Sequence, residues 1–297
     1  MKSSLTGIIR AGRSITAAAG FLLVSSGAHA AIQAEDGFDY GTTVDGNSST
    51  NLNGKDGGSG FTSGYFDAAN AEVTSGSLAD PSGKLQTSGN SILSSVDGGN
   101  NGSKLNAGRA FSNSFTDGDT FWASYLFRTE NAGQFGNVAL LTNAVSGSTN
   151  ANFNFGYANA LADGSGNDRL GIQDTTGGGN HAASSTQLQV DTTYFLAIKA
   201  QLSSGNDTIE FFIDPDPGAS ASTLSADATA TGIDAGTIEG ISFNANSQQV
   251  GAQTTFDEFR IGDSWDDVSP VPEPSAYALV AGVLTLGFVG WRRFARR

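Results

Sequence analysis

The sequence predicts an all-β protein, an antiparallel two-sheet sandwich, and three observations carry that expectation. Period-two alternation of apolar and polar residues recurs along residues 31–270. The alternating runs are bounded by clusters of Gly, Asn, Asp and Ser, which supply turn conformations. Before the C-terminal tail no segment shows a helical period. Parallel sheets need crossover helices, so antiparallel pairing follows.

The runs can be taken in chain order. In Leu105–Phe111 alternate residues are mostly apolar. Phe121–Arg128 places Phe121, Ala123, Tyr125 and Phe127 on one face and Trp122, Ser124, Leu126 and Arg128 on the other. Asn152, Phe153, Asn154, Phe155, Gly156 and Tyr157 alternate. So do Tyr194, Leu196, Ile198, Ala200 and Leu202, and then Ile209, Phe211 and Ile213. Ser203–Asp207 joins these last two runs and reads as a hairpin turn. In Thr255–Ile261, Phe256, Glu258 and Arg260 stand opposite Asp257, Phe259 and Ile261. Residues 41–60 and 174–186 are rich in Gly, Ser, Thr and Asn and read as long loops.

Charge and composition narrow the function. The formal net charge is −14, but residues 31–270 hold 8 Lys and Arg against 28 Asp and Glu, a net of −20. A body this acidic repels phosphate backbones, which excludes nucleic acid. The chain has no cysteine, so its core must hold it without disulfides, and thiol chemistry is excluded. Phe is frequent, nineteen residues in the whole chain, which argues for such a core.

Both ends read as processing signals. Lys2, Arg10 and Arg13 precede the apolar stretch Ile15–Val24, and Ala28 and Ala30 are the small residues a signal peptidase reads. Residues 1–30 are therefore expected to be a signal peptide cut before Ala31. At the other end, Val271-Pro272-Glu273-Pro274-Ser275 precedes the 16-residue apolar run Ala276–Trp291 and the basic cluster Arg292, Arg293, Arg296 and Arg297. Residues 275–297 are expected to form one transmembrane helix with an arginine-rich tail. The arginines stay cytoplasmic by the positive-inside rule, and the body lies outside. Residues 263–274 are expected to be a linker that carries the Pro-Glu-Pro motif.

The order Pro272-Glu273-Pro274, apolar span and terminal arginines resembles the PEP-CTERM sorting signal. The resemblance implies recognition by an exosortase-like membrane enzyme, cleavage near the Pro-Glu-Pro motif, a transient stay in the inner membrane, and a destination at the surface or in the extracellular matrix of a Gram-negative, exopolysaccharide-making cell. The segment Ala34-Glu35-Asp36-Gly37-Phe38-Asp39-Tyr40, the run Thr193–Lys199 with Asp207–Pro215, and Phe256-Asp257-Glu258-Phe259-Arg260-Ile261-Gly262 resemble strands of concanavalin A-like, LamG-type jelly rolls. The resemblance implies one jelly-roll domain over residues 31–262. That fold hosts lectins, adhesion modules and glycosidases alike.

Catalytic signals are sparse. Glycosidases need two carboxylates flanking the scissile bond, and no Glu-x-Asp-x-x-Glu or Glu-x-Asp-x-Glu run is present. Glu210 and Asp214 share a strand period, but Asp214-Pro215-Asp216-Pro217 reads as a turn. Asp257 and Glu258 are expected to point to opposite faces, with Glu258 in solvent or paired with Arg260. The mature chain has a single histidine, His181, in a glycine-rich stretch, which leaves neither a nucleophile-base pair nor a zinc site. Calcium is the one metal the sequence suggests. Asp163, Asn167 and Asp168 form an oxygen-rich loop, which reads first as a turn capped by its own side chains and second as a calcium site. Asp97–Asn101 and Asp214–Asp216 are lesser candidates. Trp122, Trp265, Tyr65, Tyr125 and Tyr157 are candidate sugar platforms, although aromatics at alternating strand positions usually build a core.

The expected function is that of a non-enzymatic surface or matrix protein, processed by signal peptidase and an exosortase-like enzyme, which binds exopolysaccharide or adheres within it. The alternatives are a divergent glycoside hydrolase or lyase and a permanently membrane-anchored protein.

Overall fold

In the computed structural model the described residues are 32–40, 51–68, 70–94, 104–131, 135–145, 148–158, 161–162, 168–175, 181–246 and 253–271. They contain fourteen strands: β1 (Ile32–Asp36), β2 (Ala71–Ser75), β3 (Asn90–Ser94), β4 (Lys104–Phe115), β5 (Thr120–Thr129), β6 (Phe135–Val145), β7 (Ser148–Ala158), β8 (Arg169–Asp174), β9 (His181–Gln187), β10 (Thr193–Gln201), β11 (Asp207–Ile213), β12 (Ala228–Ile233), β13 (Ile238–Asn246) and β14 (Thr254–Gly262). One short helix, α1 (Trp265–Val268), follows them. Every strand pairing is antiparallel. One sheet has eight strands in the order β12-β11-β10-β5-β14-β3-β2, with β1 also on β14; the other has six, in the order β4-β13-β6-β7-β8-β9.

The alternation seen in the sequence builds the core between the sheets. Phe121, Tyr125 and Phe127 of β5 face inward with Leu196 and Ile198 of β10 and Ile209 and Phe211 of β11. They meet Phe153 and Phe155 of β7 and Phe243 of β13. Ring pairs span the two sheets: Tyr125 with Phe155 at 5.0 Å and Phe243 with Phe256 at 5.5 Å between centroids. The Tyr125 hydroxyl donates to the Phe155 carbonyl at 2.6 Å, which satisfies the one polar atom that the ring carries into the core. The Ser203–Asp207 hairpin forms as expected, with the Asp207 carboxylate accepting from the Ser203 N–H at 2.8 Å.

The opposite face of β5 is also covered. Trp122 packs on Phe212 at 5.4 Å and on Trp265 at 5.3 Å, and Phe195, Leu126, Leu85 and Val268 complete a second apolar cluster. Residues 263–271, expected to be a linker, therefore fold onto the sheet as far as residue 271. A capping box closes the start of α1: Ser264 and Asp267 exchange side-chain-to-backbone hydrogen bonds. The Pro270 carbonyl then accepts from the Gln86 N–H.

Two expectations need correction. Residues 181–187 form the edge strand β9 and not part of a loop; its mostly exposed, polar sequence hides the strand signal, as is usual for edges. The strict alternation expected for 255–261 fails at a bulge between Asp257 and Arg260, where Glu258 takes φ = 50°. The extra residue turns both Phe256 and Phe259 into the core. It also marks where the free edge of β14 changes partner, from β3 at Thr255 and Phe256 to β1 at Phe259–Gly262.

Candidate functional site

The outer face of the six-stranded sheet carries a recess of about 580 Å³, and strand register explains its lining. On β6 the inward residues are Val138 and Leu140, so Phe135, Asn137, Ala139 and Leu141 point outward. On β7, Phe153 and Phe155 point inward and Asn154 outward; on β13, Phe243 points inward and Ser242 and Asn244 outward. Register then aligns these positions in rows. Ser242 pairs with Ala139, Ala139 with Asn154, and Asn154 with Gln173. The next row holds Asn106, Asn244 and Asn137. Four strands span three interstrand gaps, about 14 Å.

Most of these polar groups already have a hydrogen-bond partner. Asn137 Nδ2 donates to the Tyr157 carbonyl at 3.4 Å, and Asn244 Nδ2 to the Ser242 carbonyl at 3.1 Å. The Ser242 hydroxyl lies 2.9 Å from Asn106 Oδ1 and 3.1 Å from Asn244 Oδ1. Asn152 Nδ2 donates to the Ala235 carbonyl. Two acceptors are left over: Asn137 Oδ1 and Asn154 Oδ1 are buried and have no hydrogen-bond partner. A buried carbonyl oxygen without a donor costs about 1–3 kcal/mol, and a ligand hydroxyl would remove that cost. No charged residue lines the recess among the described residues. His181 pairs with Gln173 in register, which places it at the edge end of the first row, exposed.

A second, smaller recess of about 240 Å³ is lined by Glu35, Asp36, Asp39, Ser88, Glu258 and Arg260 among others. Its buried carboxylates already have partners. Asp36 accepts from Arg109 Nη1 at 2.8 Å, from the Tyr40 hydroxyl at 2.6 Å and from the Tyr65 hydroxyl at 3.0 Å. Arg109 in turn lies 4.1 Å over the Phe61 ring. Burial pushes the Asp36 carboxyl above the usual carboxylate range, although these hydrogen bonds and the guanidinium pull it down. Glu258 is buried and paired with Arg260, and it accepts from the Ser88 N–H. Burial raises its carboxyl as well. Of the two outcomes expected for Glu258, pairing with Arg260 is the one found. Asp257 points away from that recess and accepts from the Ser77 hydroxyl at 2.5 Å and the Leu78 N–H at 2.7 Å. Burial pushes its carboxyl up to about 7. The two neighbours thus face different surroundings and form no catalytic pair.

The aromatic candidates lie in the interior. Trp122, Trp265, Tyr65, Tyr125 and Tyr157 are all buried, so none of them offers a ring face to a ligand. The partly exposed ring that lines the larger recess is Phe135, which the strand patterns did not single out. Phe66 lies on the same sheet face, packed on the cluster of Ala139, Leu141 and Ala144.

Of the candidate calcium loop, Asp163 and Asn167 lie outside the described residues. Asp168 accepts a hydrogen bond from the Tyr157 side chain, and burial raises its carboxyl. Among the described residues no group of three or more His, Asp or Glu is arranged to hold a metal ion. Asp214 is engaged by the Phe195 N–H at 2.7 Å, and Asp216 by Lys84. Asp97–Asn101 lie outside the described residues. So do the signal cleavage residues Ala28, Ala30 and Ala31, the sorting motif Pro272, Glu273 and Pro274, and the tail arginines Arg292, Arg293, Arg296 and Arg297. No helix among the described residues is long and apolar enough to cross a membrane.

No known family model and no curated protein matches the chain. Solved structures similar to it include the T. cruzi calreticulin globular domain, 15% identical, covering 65% of this chain and 79% of that one with a TM-score of 0.40. The VIP36 exoplasmic/lumenal domain in its Ca2+/Man-bound form is 10% identical, covering 64% and 88% with a TM-score of 0.39. Alginate lyase vAL-1 from Chlorella virus is 11% identical, covering 66% and 94% with a TM-score of 0.35. At these identities and scores none of them assigns a ligand or an activity to this chain.

Proposed function

We propose that this chain is an exported, non-enzymatic surface or matrix protein, a concanavalin A-like jelly roll that binds carbohydrate through the amide-lined recess of its six-stranded sheet. The observation that carries the reading is the pair of buried, unpartnered acceptors, Asn137 Oδ1 and Asn154 Oδ1, in a recess whose other polar groups are amides and hydroxyls. Such groups match the hydroxyls of a sugar, and Phe135 offers an apolar ring face beside them. The sequence at the two ends supports export, an inner-membrane intermediate and release by an exosortase-like enzyme.

Two experiments test the two halves. The full chain, expressed with its signal, is titrated with a panel of soluble glycans; saturable binding is expected, and reproducible release of reducing ends would replace the reading with an enzyme. Mass analysis of material recovered from the extracellular fraction is expected to lack residues 275–297. Their retention in all of it would overturn sorting and leave a membrane-anchored protein.

A further inference from the structure

We infer that the recess takes a neutral glycan, one that lacks uronic acid, sulfate and amino groups; the inference rests on the carbohydrate reading above. Two separate observations lead to it. First, the described lining consists of Asn137, Asn152, Asn154, Asn244, Gln173, Ser242 and Thr175 with apolar neighbours, and has no charged side chain. A carboxylate or sulfate brought there would lose hydration without gaining a cation, which costs far more than a hydroxyl's transfer. An ammonium group would find no carboxylate. Second, residues 31–270 carry a net charge of −20, so the field around the sheet disfavours polyanions before contact.

The hydrogen-bonding inventory agrees. Asn137 is 2% exposed, its Nδ2 is committed to the Tyr157 carbonyl, and its Oδ1 is left to accept. Asn154 presents a second such oxygen in the row Ser242, Ala139, Asn154 and Gln173. Both vacant groups are acceptors and need donors. A sugar hydroxyl donates, whereas an ionised carboxylate or sulfate only accepts. Small side chains at Ala139 and Ala151 line the recess on the same sheet face.

The test uses the full chain against two sets of polysaccharide: laminarin, mannan and galactan as neutral probes, and alginate, polygalacturonate and a sulfated galactan as anionic ones. Affinity is compared for the parent chain and for Asn154→Ala and Gln173→Ala, each checked for folding by its thermal midpoint. The expected result is saturable binding confined to the neutral set, unaffected by salt, and weakened roughly three- to tenfold by Asn154→Ala, the loss of one neutral hydrogen bond. Preference for the anionic set, with the same sensitivity to Asn154→Ala, overturns the neutral class while the carbohydrate reading stands. Neutral binding indifferent to both substitutions overturns the recess as its site. Absence of binding to either set overturns the carbohydrate reading itself.

Discussion

Arg109 Nη1 donates to Asp36 Oδ2 at 2.8 Å, and both side chains are almost wholly removed from solvent. This pair joins the end of β1 to β4, and so links the two sheets near the chain's first strand. Removing one partner leaves the other buried and uncompensated. Asp36→Asn or Arg109→Met is expected to cost about 3–5 kcal/mol in urea unfolding at neutral pH, and the double substitution less than the sum of the two. Additive losses would show that the pair is not coupled.

Asp257 gives the fold a pH dependence. Its carboxyl titrates at about 7 in the folded chain, raised chiefly by burial, against an ordinary value of 3.8 when unfolded. A raised carboxyl makes the folded state hold its proton longer than the unfolded state does. The associated stability is present in full below about pH 4 and is lost as pH rises through 7. Asp36 and Glu258 shift in the same direction. Unfolding free energy is expected to fall between pH 4 and pH 8, with up to about 4 kcal/mol of that fall traceable to Asp257. Asp257→Asn should flatten the profile by that part; an unchanged slope would contradict the assignment.

Gly156 has φ = 138°, and a Cβ placed there would lie 2.6 Å from the Tyr125 hydroxyl and 2.7 Å from the Gly136 carbonyl. Both neighbours belong to the packed interior, so neither can yield cheaply. Gly156→Ala is expected to destabilise by about 1–3 kcal/mol or more, through strain and overpacking together. A thermal midpoint equal to the parent's would show that β7 relaxes locally.

Trp265 separates fold from function. It is 1% exposed and anchors α1 on the outer face of the eight-stranded sheet, away from the amide-lined recess. Trp265→Ala should cost about 3–5 kcal/mol of stability and leave the glycan affinity of the folded fraction unchanged. A parallel loss of affinity at temperatures where the variant is folded would place a ligand near α1.

How far the sequence discloses all this depends on the element. β5, β10 and β11 carry apolar residues at every second position, and the pairing of β10 with β11 follows from the short Ser203–Asp207 turn, whereas β5 joins β10 from more than sixty residues earlier. β9 reads His-Ala-Ala-Ser-Ser-Thr-Gln, and an edge strand with one covered face and small residues leaves little periodic trace. The bulge at Asp257–Glu258 is invisible to a period of two, because one extra residue reverses every later side chain. Arg109 looks like a solvent-facing residue until Asp36, seventy-three positions earlier, is placed against it. Asn154 is legible as a polar alternate between Phe153 and Phe155. Its neighbours Ser242, Ala139 and Gln173 come from three other strands, and only register brings them into one row.

The most direct test of the recess as a glycan site is hydrogen–deuterium exchange of the full chain with and without a saturating neutral glycan. Slowed exchange in residues 135–141 and 151–155, with β5 and α1 unchanged, is the predicted result. Slowed exchange confined to other segments, such as 35–39 and 86–90, or no change under saturating binding, would contradict the assignment of the six-stranded sheet as the binding face.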